Sequence, residues 1–194
     1  MSIKIGIAGP VGSGKTSIIE QLTNILKEKY SLGIVTNDIY TTEDANYLKA
    51  HLDLDSERIV GVETGGCPHT AIRDDISANL KAIEELEEKF NPDIIFVESG
   101  GDNLSATFSY ELIDYYMYVI DVAQGADIPR KKGAGLLFSD LLVVNKTDLA
   151  PYVEIDLESM ESDVKENRNN KPYIFLSKKD ESIKKLQEWI EVLV

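Results

Sequence analysis

The stretch "IKIGIAGPVGSGKT", residues 3–16, limits the possible folds more than any other part of the chain. An apolar β-branched run ends in a glycine-rich loop that fits G-x-x-x-x-G-K-[ST], and a helix-period segment follows at once. That order suits a loop that wraps a phosphate. Gly9, Gly12 and Gly14 let the backbone curl so that N–H groups of the loop face phosphate oxygens, with Pro10, Val11 and Ser13 completing the cradle. The N-terminus of the following helix adds its positive end. Lys15 is placed to reach the β- and γ-phosphates, and the Thr16 hydroxyl to ligate Mg²⁺, so both are read as catalytic as well as binding residues.

The remainder repeats the same alternation. Strand candidates follow at 33–37, 58–64, 93–99, 115–122, 141–147 and 172–177. Between the first two strands lies the stripe Ile18, Ile19, Leu22, Ile25 and Leu26. A second stripe, Ile72, Ile76, Leu80, Ile83, Leu86 and Phe90, predicts one helix, and Ile183, Leu186, Ile190 and Leu193 predict the last. Nearly continuous apolar strands between amphipathic helices predict an α/β fold. The expectation is a single P-loop NTPase domain over 1–194, with a mostly parallel sheet of about seven strands and helices on both faces. Ligands belong at the carboxyl ends of such strands.

Charge and cysteine usage narrow the class. The 34 acidic residues against 20 basic give a net charge of −14, which opposes a nucleic-acid partner. No stretch approaches the length of a membrane span, and the N-terminus enters a strand pattern without room for a signal peptide. A single cysteine cannot form an internal disulfide. A cytoplasmic setting is therefore expected.

"NKTD", residues 145–148, closes the apolar run "LLVV" and reads as a guanine-recognition loop. Asp148 can accept from the N1–H and the exocyclic amine of guanine, a donor pair that adenine lacks. The Lys146 stem can cover the base, and Asn145 can brace the loop against the phosphate loop. "SKK", 177–179, resembles an element in which the backbone at Ser177 contacts the guanine oxygen. GTP is therefore expected over ATP.

Three carboxylates end strands near the expected γ-phosphate: Asp38, Glu63 and Glu98. Mg²⁺ takes few protein carboxylates beside phosphates and water, so the three compete for one or two positions. Asp38 and Glu63 are assigned beside Thr16, with Asp38 also in a catalytic role. In "ESGG", 98–101, Gly101 can offer its N–H to the γ-phosphate. No glutamine follows to orient water, which predicts slow hydrolysis by the isolated protein.

The only cysteine, Cys67, stands two residues from His69 in "GVETGGCPHTAIR". Thiolate and imidazole on a glycine-preceded turn suit a metal, but a small buried residue beside a surface histidine is the commoner reading of the residues alone. Square-planar Ni²⁺ usually takes four soft or imidazole ligands, and one chain supplies two. A two-fold homodimer joining two such turns would supply four.

Taken together, "GPVGSGKT", "TNDIYTTEDA", "GVETGGCPHTAIR", "ESGGDNLSATFS", "IDVAQG", "IPRK" and "SDLLVVNKTDLAP" resemble the urease accessory GTPase family, UreG. That family lies within the nickel-insertion and signal-recognition type P-loop GTPases. The resemblance implies a cytoplasmic GTPase that helps to insert nickel into apo-urease, working with the other urease accessory proteins. It also implies that Cys67 and His69 are nickel ligands. Tyr110, Phe138, Glu154 and Ile155 depart from the usual pattern of the family. Competing readings are nickel insertion into another enzyme, such as hydrogenase, and, from a different class, a P-loop small-molecule kinase.

Overall fold

The structure, a computed structural model, describes residues 2–38, 41–66, 69–101 and 106–194. All seven expected strands form: β1 (Ile3–Ala8), β2 (Leu32–Asp38), β3 (Ile59–Glu63), β4 (Ile94–Glu98), β5 (Tyr115–Asp121), β6 (Leu141–Asn145) and β7 (Tyr173–Phe175). They join in one sheet of order β3-β2-β4-β1-β5-β6-β7, and each neighbouring pair is parallel. The sheet is thus wholly parallel where a mostly parallel one was expected. β1 lies at its centre, between β4 (Ile3 opposite Ile94) and β5 (Ile5 opposite Tyr115).

The two-residue alternation of strand side chains divides the core into two layers. Ile5, Ile7, Ile34, Phe96, Val119 and Val143 face one side, with Leu22 and Leu26 of α1 (Lys15–Leu26) and Leu48 of α2 (Glu43–His51). Leu186 and Ile190 of α6 (Ile183–Glu191) close that layer. Val35, Val97, Tyr118, Ile120 and Val144 face the other, with Ile83 and Leu86 of α3 (Ser77–Phe90). Leu136 of α4 (Ala134–Phe138) and Met160 and Val164 of α5 (Leu157–Arg168) complete it. Burial of these apolar faces contributes roughly 25 cal/mol per Å² removed from water. Among the described residues no helix is long and apolar enough to cross a membrane.

One predicted helix is corrected. The 72–90 stripe does not run through a single helix. Residues Thr70–Asp74 form a π-turn, closed by Asp75 N–H on the Thr70 carbonyl at 2.8 Å, and α3 starts only at Ser77. The cause is Asp75, whose carboxylate accepts from the Ser77 hydroxyl (2.7 Å) and backbone N–H (3.3 Å), so the chain turns before the second helix begins. Ile72, inside the π-turn, and Ile76, at the start of α3, still reach the core.

At the pole opposite the strand carboxyl ends, Arg168 is almost wholly buried. Its guanidinium donates to the carbonyls of Leu136, Ser139 and Pro172, tying the ends of α4 and α5 to the starts of β6 and β7. Burial holds its pKa down to about 10, with Asp140 acting in the opposite direction.

Candidate functional site

Strands that all run one way deliver their carboxyl ends to one rim, and the loop after β1 emerges at the middle of it. Gly14 sits at φ 95, a left-handed conformation that glycine adopts without cost, and from there α1 departs. Any side chain at Gly14 would run into the amide of Asn145, so the absence of a Cβ lets two loops touch. A groove of about 530 Å³ opens on this rim, within the range of small-ligand clefts. Val11, Gly12, Gly14, Lys15 and Thr16 form its floor, Asp38, Asp44 and Tyr47 one wall, and Gly101 and Lys146 the others.

The loop residues Gly9, Pro10, Val11, Gly12, Ser13 and Gly14 lie together between β1 and α1. Lys15 is 6% exposed and its ammonium donates to the Pro10 carbonyl at 3.3 Å, so it lies folded against the loop. Gly101 approaches so closely that an added Cβ would strike Val11, which brings the "ESGG" segment against the phosphate loop.

At one end of the groove, Asn145 Nδ2 donates to the Ser13 carbonyl at 2.8 Å, and its Oδ1 accepts from Lys146 N–H at 2.8 Å. The Lys146 ammonium reaches the Gly12 carbonyl and pairs with Asp121 at 3.0 Å. Asp121 is nearly fully buried and holds the turn after β5. Thr147 N–H donates to the Leu176 carbonyl at 3.1 Å, which brings Ser177 alongside. Asp148 stands here with Lys179 at 3.8 Å.

At the other end, the Thr16 hydroxyl lies 2.7 Å from Glu98 Oε1 and 3.2 Å from Asp44 Oδ1. A hydroxyl has one proton, so it can donate at full strength to only one of the two carboxyls. Burial pushes Glu98 up to about 7, against the opposing pull of Lys15, and the neighbouring Asp44 and Asp38 add to the rise. Glu98 is therefore partly protonated at neutral pH, and its second oxygen is buried without a hydrogen-bond partner among the described residues. An all-oxygen set of Thr16, Glu98 and Asp44, with one buried carboxylate oxygen left over, fits Mg²⁺. Among the described residues no three His, Cys, Asp or Glu side chains are grouped to hold a metal by themselves.

The three strand-end carboxylates thus separate. Glu98 touches Thr16, and Asp38 lines the groove and accepts from the Thr41 hydroxyl. Glu63 is exposed at the end of edge strand β3 and is not among the groove-lining residues. Asp44 was not anticipated. Its one signal is an acidic first turn on α2, which looks like ordinary favourable charge at a helix N-terminus. Asp121 and Tyr47 were also missed, and Tyr47 donates its hydroxyl to Glu20 at 3.1 Å, holding α2 beside α1.

Cys67 and Pro68 lie outside the described residues. His69 is described and half-buried, and it opens the π-turn with helical backbone angles (φ −63, ψ −37). Gly65, shortly before, takes φ 62, which glycine tolerates, and among the described residues no atom lies within 4 Å of where a Cβ on Gly65 or Gly66 would stand.

Comparison with known proteins gives a consistent family. The family model described as "CobW/HypB/UreG, nucleotide-binding domain" matches residues 3–175. A urease accessory protein UreG from Aliarcobacter butzleri (strain RM4018) is 82% identical over 195 residues, covering 100% of both chains. A second, from Lysinibacillus sphaericus (strain C3-41), is 59% identical over 97% of this chain and 91% of its own. Among solved structures, hydrogenase maturation factor HypB from Archaeoglobus fulgidus superposes with TM-score 0.78 at 21% identity, over 99% of this chain and 90% of that one. HypB from Helicobacter pylori, solved in complex with nickel, gives TM-score 0.79 at 19% identity over 98% and 86%. At those identities the structural likeness speaks for the fold.

Proposed function

Because the chain belongs to the CobW/HypB/UreG family of nucleotide-binding domains, and within it to the urease accessory UreG proteins, we propose that it is a GTP-hydrolysing nickel metallochaperone. It couples GTP binding and hydrolysis to nickel delivery and to assembly of the urease metallocentre. The observation that carries the reading is the 82% identity with a urease accessory protein along the full chain. The groove supports it, with Gly12, Gly14, Lys15 and Thr16 of the glycine-rich loop and Lys146 of the "NKTD" segment among its lining residues.

In this reading the loop N–H groups and Lys15 hold the β- and γ-phosphates, and Lys15 leaves the Pro10 carbonyl to do so. Gly101 N–H meets the γ-phosphate. Asp148 accepts from the guanine edge, Lys146 covers the base, Asn145 fixes their loop to Ser13, and the Ser177 backbone completes the base pocket. Mg²⁺ would be held at Thr16 with carboxylates drawn from Glu98, Asp44 and Asp38, Glu63 joining only if β3 shifts toward the groove. When bound it would neutralise charge building on the phosphate oxygens.

Nickel is the cargo. Cys67 and His69 from each of two chains form one four-ligand site across a homodimer that needs GTP, and hydrolysis releases the ion toward apo-urease with the help of the other accessory proteins. The reaction takes place in the cytoplasm. The test is a purified protein titrated with Ni²⁺, Mg²⁺ and a non-hydrolysable GTP analogue, with oligomeric state and urease activation as readouts. One nickel per two chains, lost in Cys67→Ala or His69→Ala, is expected. Equal affinity for ATP and GTP, or one tightly bound nickel per monomer, would overturn the reading.

A further inference from the structure

Two asparagines that play no part in the groove form a closed amide pair in the core. Asn37, on β2 beside Asp38, and Asn79, on α3, are each 0% exposed. Asn37 Nδ2 donates to Asn79 Oδ1 (2.9 Å) and to the Glu98 carbonyl (2.9 Å). Asn79 Nδ2 donates to Asn37 Oδ1 (2.8 Å) and to the Ala71 carbonyl (2.9 Å). All four amide protons are thus used, and each side chain accepts from the other.

The places these bonds reach are what matter. Strand alternation sends Asn37 to the α3 side of the sheet and its neighbour Asp38 to the groove side. Glu98 is held on both sides as well. Its carboxyl meets Thr16 in the groove, and its carbonyl meets Asn37 in the core. Ala71 lies inside the π-turn, two residues after His69. A second bond, Ser109 N–H to the Ile72 carbonyl at 2.8 Å, holds the same turn from its far side. π-turns of this kind cluster at functional sites, and a buried polar network is stiff when satisfied and costly when broken.

We propose that the Asn37–Asn79 pair is a positioning device that transmits the state of the phosphate end of the groove to the π-turn that His69 opens. A ligand that draws Asp38 and Glu98 inward moves the ends of β2 and β4. Asn37 moves with both, because its amide is anchored to each. Asn79 must follow or lose two buried hydrogen bonds, and the Ala71 carbonyl follows Asn79. An apolar pair of equal volume would fill the same space, at the cost of the donors to the Glu98 and Ala71 carbonyls, and would transmit nothing, since only directional bonds tie the strand ends to the turn. The inference rests on the proposed nucleotide site and concerns how that site is coupled to the turn.

Hydrogen exchange on the full chain tests it, with and without Mg²⁺ and a non-hydrolysable GTP analogue. In the unmodified protein, exchange of the backbone amides of residues 70–76 should slow by about fivefold or more on adding nucleotide, the lower end of ordinary coupling. Asn79→Leu keeps the side-chain volume and should hold nucleotide within about threefold of the original affinity, while the nucleotide-dependent change at 70–76 disappears. If Asn79→Leu shows no cooperative melting, the double substitution Asn37→Leu with Asn79→Leu serves instead, because it leaves no amide orphaned. A merely structural pair would lower the melting temperature and leave the nucleotide-dependent change intact. That outcome overturns the inference, and so does a turn that ignores nucleotide in the unmodified protein. A turn that responds to nucleotide while nickel affinity does not would sink the nickel reading and leave the pair's role standing.

Discussion

At the base end of the groove, Asn145, Lys146 and Thr147 each hold a different element, through Ser13, through Gly12 with Asp121, and through Leu176. At the Thr16 end, Glu98 and Asp44 crowd one hydroxyl and Asp38 stands nearby. One end is cross-braced by opposite charges and by amides donating to carbonyls. The other gathers carboxyl groups whose crowding a proton on Glu98 relieves in the empty groove and a cation would relieve when bound. In the proposed reading the first would hold the base and the second would meet the γ-phosphate, so the two tasks rest on different interactions and substitutions should separate them.

The largest effect belongs to the strained end. Lys15→Ala removes the one ammonium of the loop, and hydrolysis in the presence of partner proteins should fall by on the order of 10³-fold while the fold survives, measured as phosphate release beside a melting curve. Normal turnover would break the comparison at its root. Glu98 comes next. Burial raises its carboxyl to about 7 in the folded chain, so the folded state keeps a proton that the unfolded state loses above its ordinary pKa of 4.5. Stability from this group is complete below that lower pH and is lost as pH climbs through about 7. Glu98→Gln should remove that loss and leave the nucleotide-free chain more stable than the original by about 3 kcal/mol at pH 8, read from denaturant melts across pH. A Glu98→Gln profile parallel to the original would show that the crowding carries no energy.

The braced end should yield smaller, cleaner changes. Asp148→Asn replaces one acceptor by a donor and should weaken GTP by about 2 kcal/mol, with preference moving toward xanthosine nucleotides in competition binding. Lys179→Ala is the smallest. Its ammonium is 67% exposed and 3.8 Å from Asp148, so GTP affinity should change by less than about fivefold and less still at high salt. A large loss would mean that the base end, too, depends on a charge balance that the ligand must disturb.

What could be read in the sequence was local. β1, the loop and α1 follow one another without interruption, and each strand carries its own apolar run, so strand number, order of elements and the phosphate loop were legible. Helices α2 and α5 gave little signal, because only Ala45 and Leu48 of the first, and Met160, Val164 and Arg168 of the second, are buried. Asp44 and the Asn37–Asn79 pair were illegible for another reason. Their roles arise from hydrogen bonds between residues 28 to 61 positions apart in the chain, and no periodicity records that. The 72–90 stripe misled because a π-turn and a short break kept its apolar residues inward without a continuous helix.

The central position of β1 has a consequence for how the molecule comes into being. The phosphate loop is made well before both strands that flank β1, β4 ending at Glu98 and β5 at Asp121. Parallel neighbours so distant along the chain pair slowly, because each must close a long loop first. A nascent chain that has not yet reached Asp121 therefore carries the loop sequence without the sheet that shapes it, and nucleotide capture has to await synthesis of both flanking strands.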